Sequence, residues 1–278
     1  MLRDQRRDWR VLVAGVGSPN ADFIAKVLGS NGFNAEWTDH IRRPDPHMIR
    51  RFDVIYGIYL HGCDRIFTLA KMLRKRTVLH FVGSDAYRLA SESSVRRRLY
   101  WRGILRLADI VLYVSPHLEK MVNRRGFTLP LPIATAQFKY RELRMVPPER
   151  DVLYYCPSGA INEKIYRLDW IIEYARTHPE EKITIIGNSS HPATYRIRYP
   201  NVEVIPHVDQ SRMPLLYRRH KRLIRMTTED GLPRMIHEAL LCGIEAVHNG
   251  REIRELPMEL EPVAFAERFR KILEGANY

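Results

Sequence analysis

Short runs of consecutive apolar residues alternate along this chain with longer stretches of helical periodicity. Arg10 to Val16 reads Arg-Val-Leu-Val-Ala-Gly-Val and leads into a helical segment that runs to about Ser30. Ala35 to Thr38 is a weak second strand, and Asp53 to Leu60 is a third, rich in Ile, Val and Tyr. The pattern predicts helices over Cys63 to Arg76, Ser93 to Arg106 and Pro116 to Arg125, with strands at Thr77 to Val82 and Asp109 to Val114. The stretch Val146-Pro147-Pro148-Glu149-Arg150 reads as a linker, and the alternation then restarts. Strands are expected at Val152 to Cys156, Ile183 to Ile186, Val202 to Ile205, Leu223 to Met226 and Glu245 to His248. The helices between and after them fall at Arg167 to Thr177, Met213 to Arg219, Pro233 to Cys242 and Val263 to Glu274. Continuous apolar strands set between helices predict parallel sheets covered on both faces. The fold class expected is α/β, with two doubly wound domains over 1–148 and 149–278. A ligand of such sheets binds beyond the carboxyl ends of the strands, so two facing halves predict a cleft between them.

Composition narrows the class. The 278 residues are 45% hydrophobic, ample for a core, yet no run of 18 apolar residues exists. The segment Ile104 to Val114 contains Arg106 and Asp109, and the first ten residues carry no apolar signal region. Cys63, Cys156 and Cys242 are odd in number and far apart, which fits neither a disulfide framework nor a zinc site. A cytoplasmic protein is expected.

Charge is uneven. Residues 1–150 hold 27 Lys+Arg against 14 Asp+Glu, whereas residues 151–278 hold 18 of each, so the whole formal charge of +13 sits in the first half. Thirty-six of the 45 basic residues are Arg, whose planar fork suits phosphate. The densest cluster is Arg96-Arg97-Arg98 with Arg102 and Arg106, interleaved with Leu99, Tyr100, Trp101 and Leu105. It reads either as a basic amphipathic surface helix for an anionic partner or as a solvated helix whose apolar residues pack on the sheet.

The chemistry concentrates in Thr227-Thr228-Glu229-Asp230-Gly231-Leu232-Pro233, followed by Arg234 to Gly243. Pro233 suits the start of a helix, where its missing N–H costs nothing. Free amides at Gly231 and in the first turn would favour an anion. Asp230 and Glu238 supply carboxylates for hydroxyl groups. Phosphate-binding amides beside hydroxyl-binding acids suit a nucleotide sugar; the plain alternative is a helix start with one capping and one exposed acid.

Asp230-x7-Glu238 with Ala239-Leu240-x-x-Gly243 resembles the acidic pair and following signature of retaining glycosyltransferases of the GT-B fold, family 4 type. Those enzymes usually carry Glu as the first acid; here it is Asp230, preceded by Glu229. Upstream, Leu79-His80-Phe81-Val82-Gly83-Ser84-Asp85 resembles the strand end of their acceptor domain, about 145 residues earlier. The resemblance is at motif level and spans nearly the whole chain. It implies two Rossmann-like domains facing a cleft, the first for the acceptor and the second for the nucleotide-sugar donor.

Residue by residue, the resemblance implies that Asp230 meets the transferred sugar and Glu238 the ribose. Asp85 would orient an acceptor hydroxyl. His80 stands two residues before the usual histidine position, now Val82; it reads equally as a cleft residue and as a core histidine. Lys164, in Gly159-Ala-Ile-Asn-Glu-Lys164, would neutralise the donor pyrophosphate; the arginine expected beside it is replaced by Gly159, for which Arg167 or Arg225 could substitute. Gly187-Asn188 would lie beside the base, Thr228, Gly231 and Leu232 beside the phosphates, and Gly17-Ser18 across the cleft. The Gly15-x-Gly17 signal is weak by itself, because the third glycine of a dinucleotide fingerprint is missing. By charge, and not by the resemblance, Arg96, Arg97, Arg98 and Arg102 form the expected anionic-acceptor or membrane-facing surface, at the inner membrane face. The implied mechanism needs no metal and no cofactor beyond the donor. A nucleic-acid-binding or DNA-modifying glycosyltransferase, a sugar-nucleotide epimerase and a non-catalytic binding module remain as alternatives.

Overall fold

The structure is a computed structural model that describes residues 8–15, 19–138, 147–187, 199–206, 208–228, 233–255 and 260–275. It divides into two compact units, the first made of 1–132 and 258–278, the second of 133–257.

The first unit holds a six-stranded sheet in the order β2-β1-β3-β4-β5-β6. Its strands are β1 (Arg10–Ala14), β2 (Asn34–Thr38), β3 (Val54–Ile58), β4 (Arg76–Phe81), β5 (Ile110–Tyr113) and β6 (Phe127–Thr128), all parallel. The strands between the edges are apolar on both sides because both faces are covered. β2 is an edge, and its Asn34, Glu36 and Trp37 lie exposed.

One face packs Leu12, Ile55, Leu79, Phe81 and Tyr113 beneath the helices Cys63–Met72, Ser84–Ser91, Val95–Leu107 and Pro116–Val122. The other face packs Val11, Val13, Tyr56, Ile58 and Val78 beneath Pro19–Ser30 and the last helix, Pro262–Leu273. Phe265 and Phe269 of that last helix are fully buried; Phe269 meets Tyr56 edge-on at 5.3 Å and Phe33 at 5.8 Å. Arg270 lies over the Phe33 ring and donates to the carbonyls of Asn31 and Gly32, while Arg76 donates to the carbonyl of Leu273. The expectation of a second domain running unbroken to the C-terminus therefore differs from the packing. The helix itself falls where its periodicity places it, but its aromatic face completes the first sheet.

The second unit holds β7 (Arg150–Tyr155), β8 (Ile183–Ile186), β9 (Val202–Ile205), β10 (His220–Arg225), β11 (Glu245–His248) and β12 (Arg251–Ile253), in the order β12-β11-β10-β7-β8-β9. All neighbours are parallel except β11 and β12. That antiparallel pair turns at Asn249-Gly250, whose φ values of 49° and 77° are what a two-residue hairpin with right-handed twist requires. The helix Leu168–Thr177 covers one face of this sheet around Ile171 and Ala175. Met213–Arg218 and Arg234–Leu241 lie beside β10 and β11.

His220 ties the second sheet laterally. Its Nδ1–H donates to the Leu216 carbonyl at 2.7 Å, and its Nε2 accepts from the Thr184 hydroxyl at 2.8 Å. Burial drives its pKa down to about 4, so the ring is neutral.

Candidate functional site

In a doubly wound sheet, the crevice forms where adjacent strands send their connections in opposite directions. In the second unit that point lies between β7 and β10. From β7 the chain proceeds outward through β8 and β9; from β10 it proceeds the other way through β11. The segments after β7 and β10 therefore flank the crevice. They contain Ser158, Gly159 and the helix Ala160–Ile165 on one side, and Thr227, Thr228 and the helix Arg234–Leu241 on the other.

Backbone links hold these segments in place. The Thr228 N–H donates to the Ile165 carbonyl at 3.0 Å, joining the two flanks directly. The Thr227 N–H donates to Asn249 Oδ1 at 2.8 Å, so the Asn-Gly hairpin turn also fixes the end of β10. Ser158 N–H donates to the Gly187 carbonyl at 3.1 Å, which brings the end of β8 alongside. Gly187 has φ of +88°, and a Cβ there would stand 3.2 Å from the Tyr155 ring; only glycine lets the strand end pass that ring. Gly159, with φ of +109°, likewise needs the freedom of glycine as the helix begins.

Glu238 sits on the second flank and is 5% exposed. The Tyr217 hydroxyl donates to its Oε2 at 2.9 Å, and an Arg234 guanidinium nitrogen lies 3.4 Å from Oε1. Burial raises its pKa, and the charges of Arg234 and Arg225 and the Tyr217 bond oppose that rise. An exposed surface acid at this position is thus excluded. Arg225, at the end of β10, is 6% exposed; its guanidinium stacks on Tyr166 at 4.9 Å and on Tyr155 at 5.4 Å. Lys164 is exposed on the last turn of the first flank and has no ion-pair partner among the described residues. The arrangement places one buried carboxylate, one ring-held guanidinium and one exposed ammonium on the two flanks of a single crevice. It can receive a ligand that is anionic at one end and rich in hydroxyls at the other.

Several residues singled out in the sequence find their places here. Gly187, Thr228, Lys164 and Glu238 all fall on segments around the β7/β10 crevice. Asp230, Gly231, Leu232 and Asn188 lie outside the described residues, as do Gly17 and Ser18. Arg167, one of the two substitutes for the missing loop arginine, pairs with Asp169 at 3.2 Å on the surface, whereas Arg225 stands at the crevice. Tyr217, Arg234 and Asn249 had no such role in the sequence reading. Only Asn249-Gly250 carried a usable signal there, as an Asn-Gly pair between two short strands.

Two residues of the first unit are placed differently from expectation. His80 is fully buried on the face covered by Pro262–Leu273, with its Nδ1 bonded to the Tyr56 hydroxyl. Burial pushes its pKa down to about 3, so it is a neutral core histidine and not a cleft residue. Asp85 is 4% exposed, and its carboxylate accepts from four backbone amides. Oδ1 takes those of Val82, Gly83 and Ala86 at 3.1 Å each, and Oδ2 that of Leu60 at 3.2 Å. It ties the segment after β3 to the segment after β4, and its oxygens are engaged by the backbone rather than offered to an acceptor hydroxyl. Burial pushes its pKa up to about 6 against the pull of those amides. Arg96, Arg97, Arg98 and Arg102 are exposed on Val95–Leu107, as expected. Leu105 is buried and Trp101 half-buried, so neither belongs to an outward apolar face.

Two six-stranded, mostly parallel sheets with flanking helices define a GT-B fold. No family model matches the chain, and no curated protein matches it in sequence. Solved structures match it in fold. HepE of Anabaena in complex with UDP and glucose superposes with a TM-score of 0.61 at 15% identity, over 96% of this chain and 90% of that one. An alpha-glucosyltransferase in complex with UDP and a 13-mer DNA containing a central A:G mismatch gives 0.60 at 11% identity, over 92% and 83%. A sucrose-phosphate synthase from Thermosynechococcus elongatus gives 0.58 at 13% identity, over 95% and 89%.

Proposed function

We propose that this protein is a glycosyltransferase that moves a sugar from a nucleoside diphosphate sugar to an acceptor hydroxyl. The observation that carries the reading is the doubly wound switch point between β7 and β10, whose flanking segments carry Lys164 on one side and Arg225 and buried Glu238 on the other. The fold is shared with structures that hold UDP, which favours UDP as the leaving group. In this reading Glu238, oriented by Tyr217, accepts from the ribose hydroxyls. Lys164 and Arg225 meet the pyrophosphate. Arg225 is held on its two tyrosine rings before the reaction, so its charge meets the departing diphosphate without reorganisation, while the exposed Lys164 must be drawn in by the diphosphate itself. Asp230, by its resemblance, would contact the transferred sugar.

Retention at the anomeric carbon and metal independence belong to the same proposal. Retention rests on the resemblance of Asp230, Glu238 and Ala239-Leu240-x-x-Gly243. Metal independence rests on the basic side chains available to the diphosphate. A cytoplasmic location is also proposed, in keeping with a soluble nucleotide donor.

The test is a thermal-shift panel of UDP-, GDP- and ADP-sugars, followed by turnover of the stabilising donor with and without EDTA. Stabilisation by a UDP-sugar, a product of unchanged anomeric configuration by NMR, and turnover that survives EDTA are expected. No stabilisation by any donor would remove the reading; loss of turnover in EDTA with rescue by Mn²⁺ would remove its metal-free form.

A second reading is favoured by the fold shared with a DNA-bound glucosyltransferase and by the +13 charge of the first 150 residues. In it the acceptor is a base in DNA. Sugar transfer to duplex DNA, with binding that falls steeply with salt, would select it.

A further inference from the structure

The helix Val95–Leu107 presents an outward face that the donor crevice does not use. Ser94 caps it, its side chain accepting from the Arg97 N–H, and Ile104 and Leu105 turn inward to the core. At 3.6 residues per turn, Val95, Leu99 and Gly103 then share the outward line. Val95 is 68% and Leu99 63% exposed, and a Cβ at Gly103 would meet nothing within 4 Å. Tyr100, on the same two turns, is 48% exposed. Arginines border this line on both sides. Arg96, Arg102 and Arg106 are exposed and have no ion-pair partner among the described residues.

Arg98, Arg102 and Arg106 also line a groove of about 540 Å³ between this helix and the end of Pro116–Val122, with Leu105 and Met121 against it. Arg124 closes the groove. Its guanidinium donates to the carbonyls of Leu105 and Ala108, where it satisfies the negative end of the helix. No carboxylate is among its lining residues, so the groove keeps its positive charge. It sits in the outer helical layer beside the start of β5, not at the carboxyl ends of the strands.

We propose that this face is a docking surface for an anionic lipid bilayer. Val95 and Leu99 enter the interface, Arg96, Arg102 and Arg106 meet lipid phosphates, and the groove receives a headgroup. An apolar line bordered by cations is the pattern of a helix lying in a membrane interface. A nucleic-acid backbone fits it less well, because Val95 and Leu99 would cover phosphates and strip their water without offering a partner. No helix among the described residues is long and apolar enough to cross a membrane. The proposal stands apart from the donor reading, since vesicle binding needs no nucleotide.

The experiment is sedimentation of the full chain with phosphatidylcholine vesicles, with and without phosphatidylglycerol. The parent should pellet only with the anionic vesicles. Leu99→Glu, and separately Arg102→Glu with Arg106→Glu, should each lower partitioning at least about tenfold, each cation near the surface contributing appreciably. Arg42→Glu with Arg43→Glu makes the same charge change on another exposed turn and should stay within about twofold of the parent. Thermal melts confirm folding, and Leu99→Ser carries the test if a charge reversal melts early. A parent that ignores anionic vesicles, or a control reversal that loses as much as the helix reversal, overturns the proposal. So does a parent that binds duplex DNA in place of vesicles.

Discussion

Among the described residues, each unit buries one carboxylate on a helix that follows a central strand, and the two are held in opposite ways. Asp85 is surrounded by backbone: four amides from the segments after β3 and β4 point at its oxygens. Glu238 is held by side chains, the Tyr217 hydroxyl and the Arg234 guanidinium. Backbone donors are fixed by the chain path and cannot be released without unmaking the loops. Side-chain donors turn about their rotamers, and so can share the carboxylate with a ligand. The same burial thus braces the backbone in one unit and, in the other, leaves a carboxylate held only by side chains.

The largest expected effect comes from removing the brace. Asp85→Ala leaves four buried N–H groups without an acceptor, each costing about 1–3 kcal/mol before relaxation. A loss of at least about 3 kcal/mol in urea unfolding of the first unit is expected, with donor binding by the second unit unchanged where both remain folded. Asp85→Asn keeps one acceptor oxygen for the amides after β4 but turns its NH₂ toward an N–H donor, so its loss should be smaller. If Asp85→Asn abolishes turnover at parental stability, the brace is not its only role.

Glu238 should show the reverse balance. Glu238→Ala should weaken UDP binding by calorimetry at least about tenfold, near 1.4 kcal/mol, more than Glu238→Gln, which still accepts from Tyr217. Tyr217→Phe keeps the packing and removes only the orienting bond, so a weakening of about threefold to tenfold is expected. Equal UDP affinity in all three variants and the parent would make Glu238 as structural as Asp85.

The smallest effect separates the units by pH. His220 and His237 in the second unit have pKa values lowered by burial to about 4 each. Their unfolded forms bind protons below about 6.5 while the folded forms do not, so stability falls as pH drops from about 6.5 to 4. At pH 5 each contributes a loss of about 2 kcal/mol, reduced by Glu238, whose raised pKa acts in the other direction. In the first unit His80 has the same sign, but Asp85, pushed up to about 6, gains stability as pH falls through that value and largely offsets it. Urea titrations at pH 7 and pH 5, sampled by pulsed hydrogen exchange, should show the second unit losing more than the first. Equal losses would mean that these histidines are not buried as neutral rings.

Strand and helix positions were legible in the sequence because burial on two faces leaves a signature along the chain itself. Ile183–Ile186, Val202–Ile205 and Glu245–His248 fall at the limits that pattern predicted, and β7 and β10 begin two and three residues earlier. That Glu238, Lys164 and Gly187 lie on segments that follow β10, β7 and β8 was legible because the strands themselves were. The fates of His80 and Asp85 were not, because a histidine or acid at a strand end looks alike whether it faces solvent, backbone or core. The β11–β12 hairpin was not read from the sequence, although Asn249-Gly250 is the pair such a turn needs, and its use in holding Thr227 left no local signal at all.

What the sequence determined by itself, then, is what depends on neighbours along the chain: the alternation of elements and the concentration of positive charge in residues 1–150. The tertiary structure decided what depends on neighbours in space. It placed Pro262–Leu273 on the first sheet through Phe265 and Phe269, set Tyr217 against Glu238 and Arg225 between two tyrosines, and left Val95 and Leu99 facing outward while Leu105 turned in. The physical reason is that periodicity records that a residue has a buried face, whereas the partner that buries it can lie anywhere in the chain: 213 residues separate Tyr56 from Phe269.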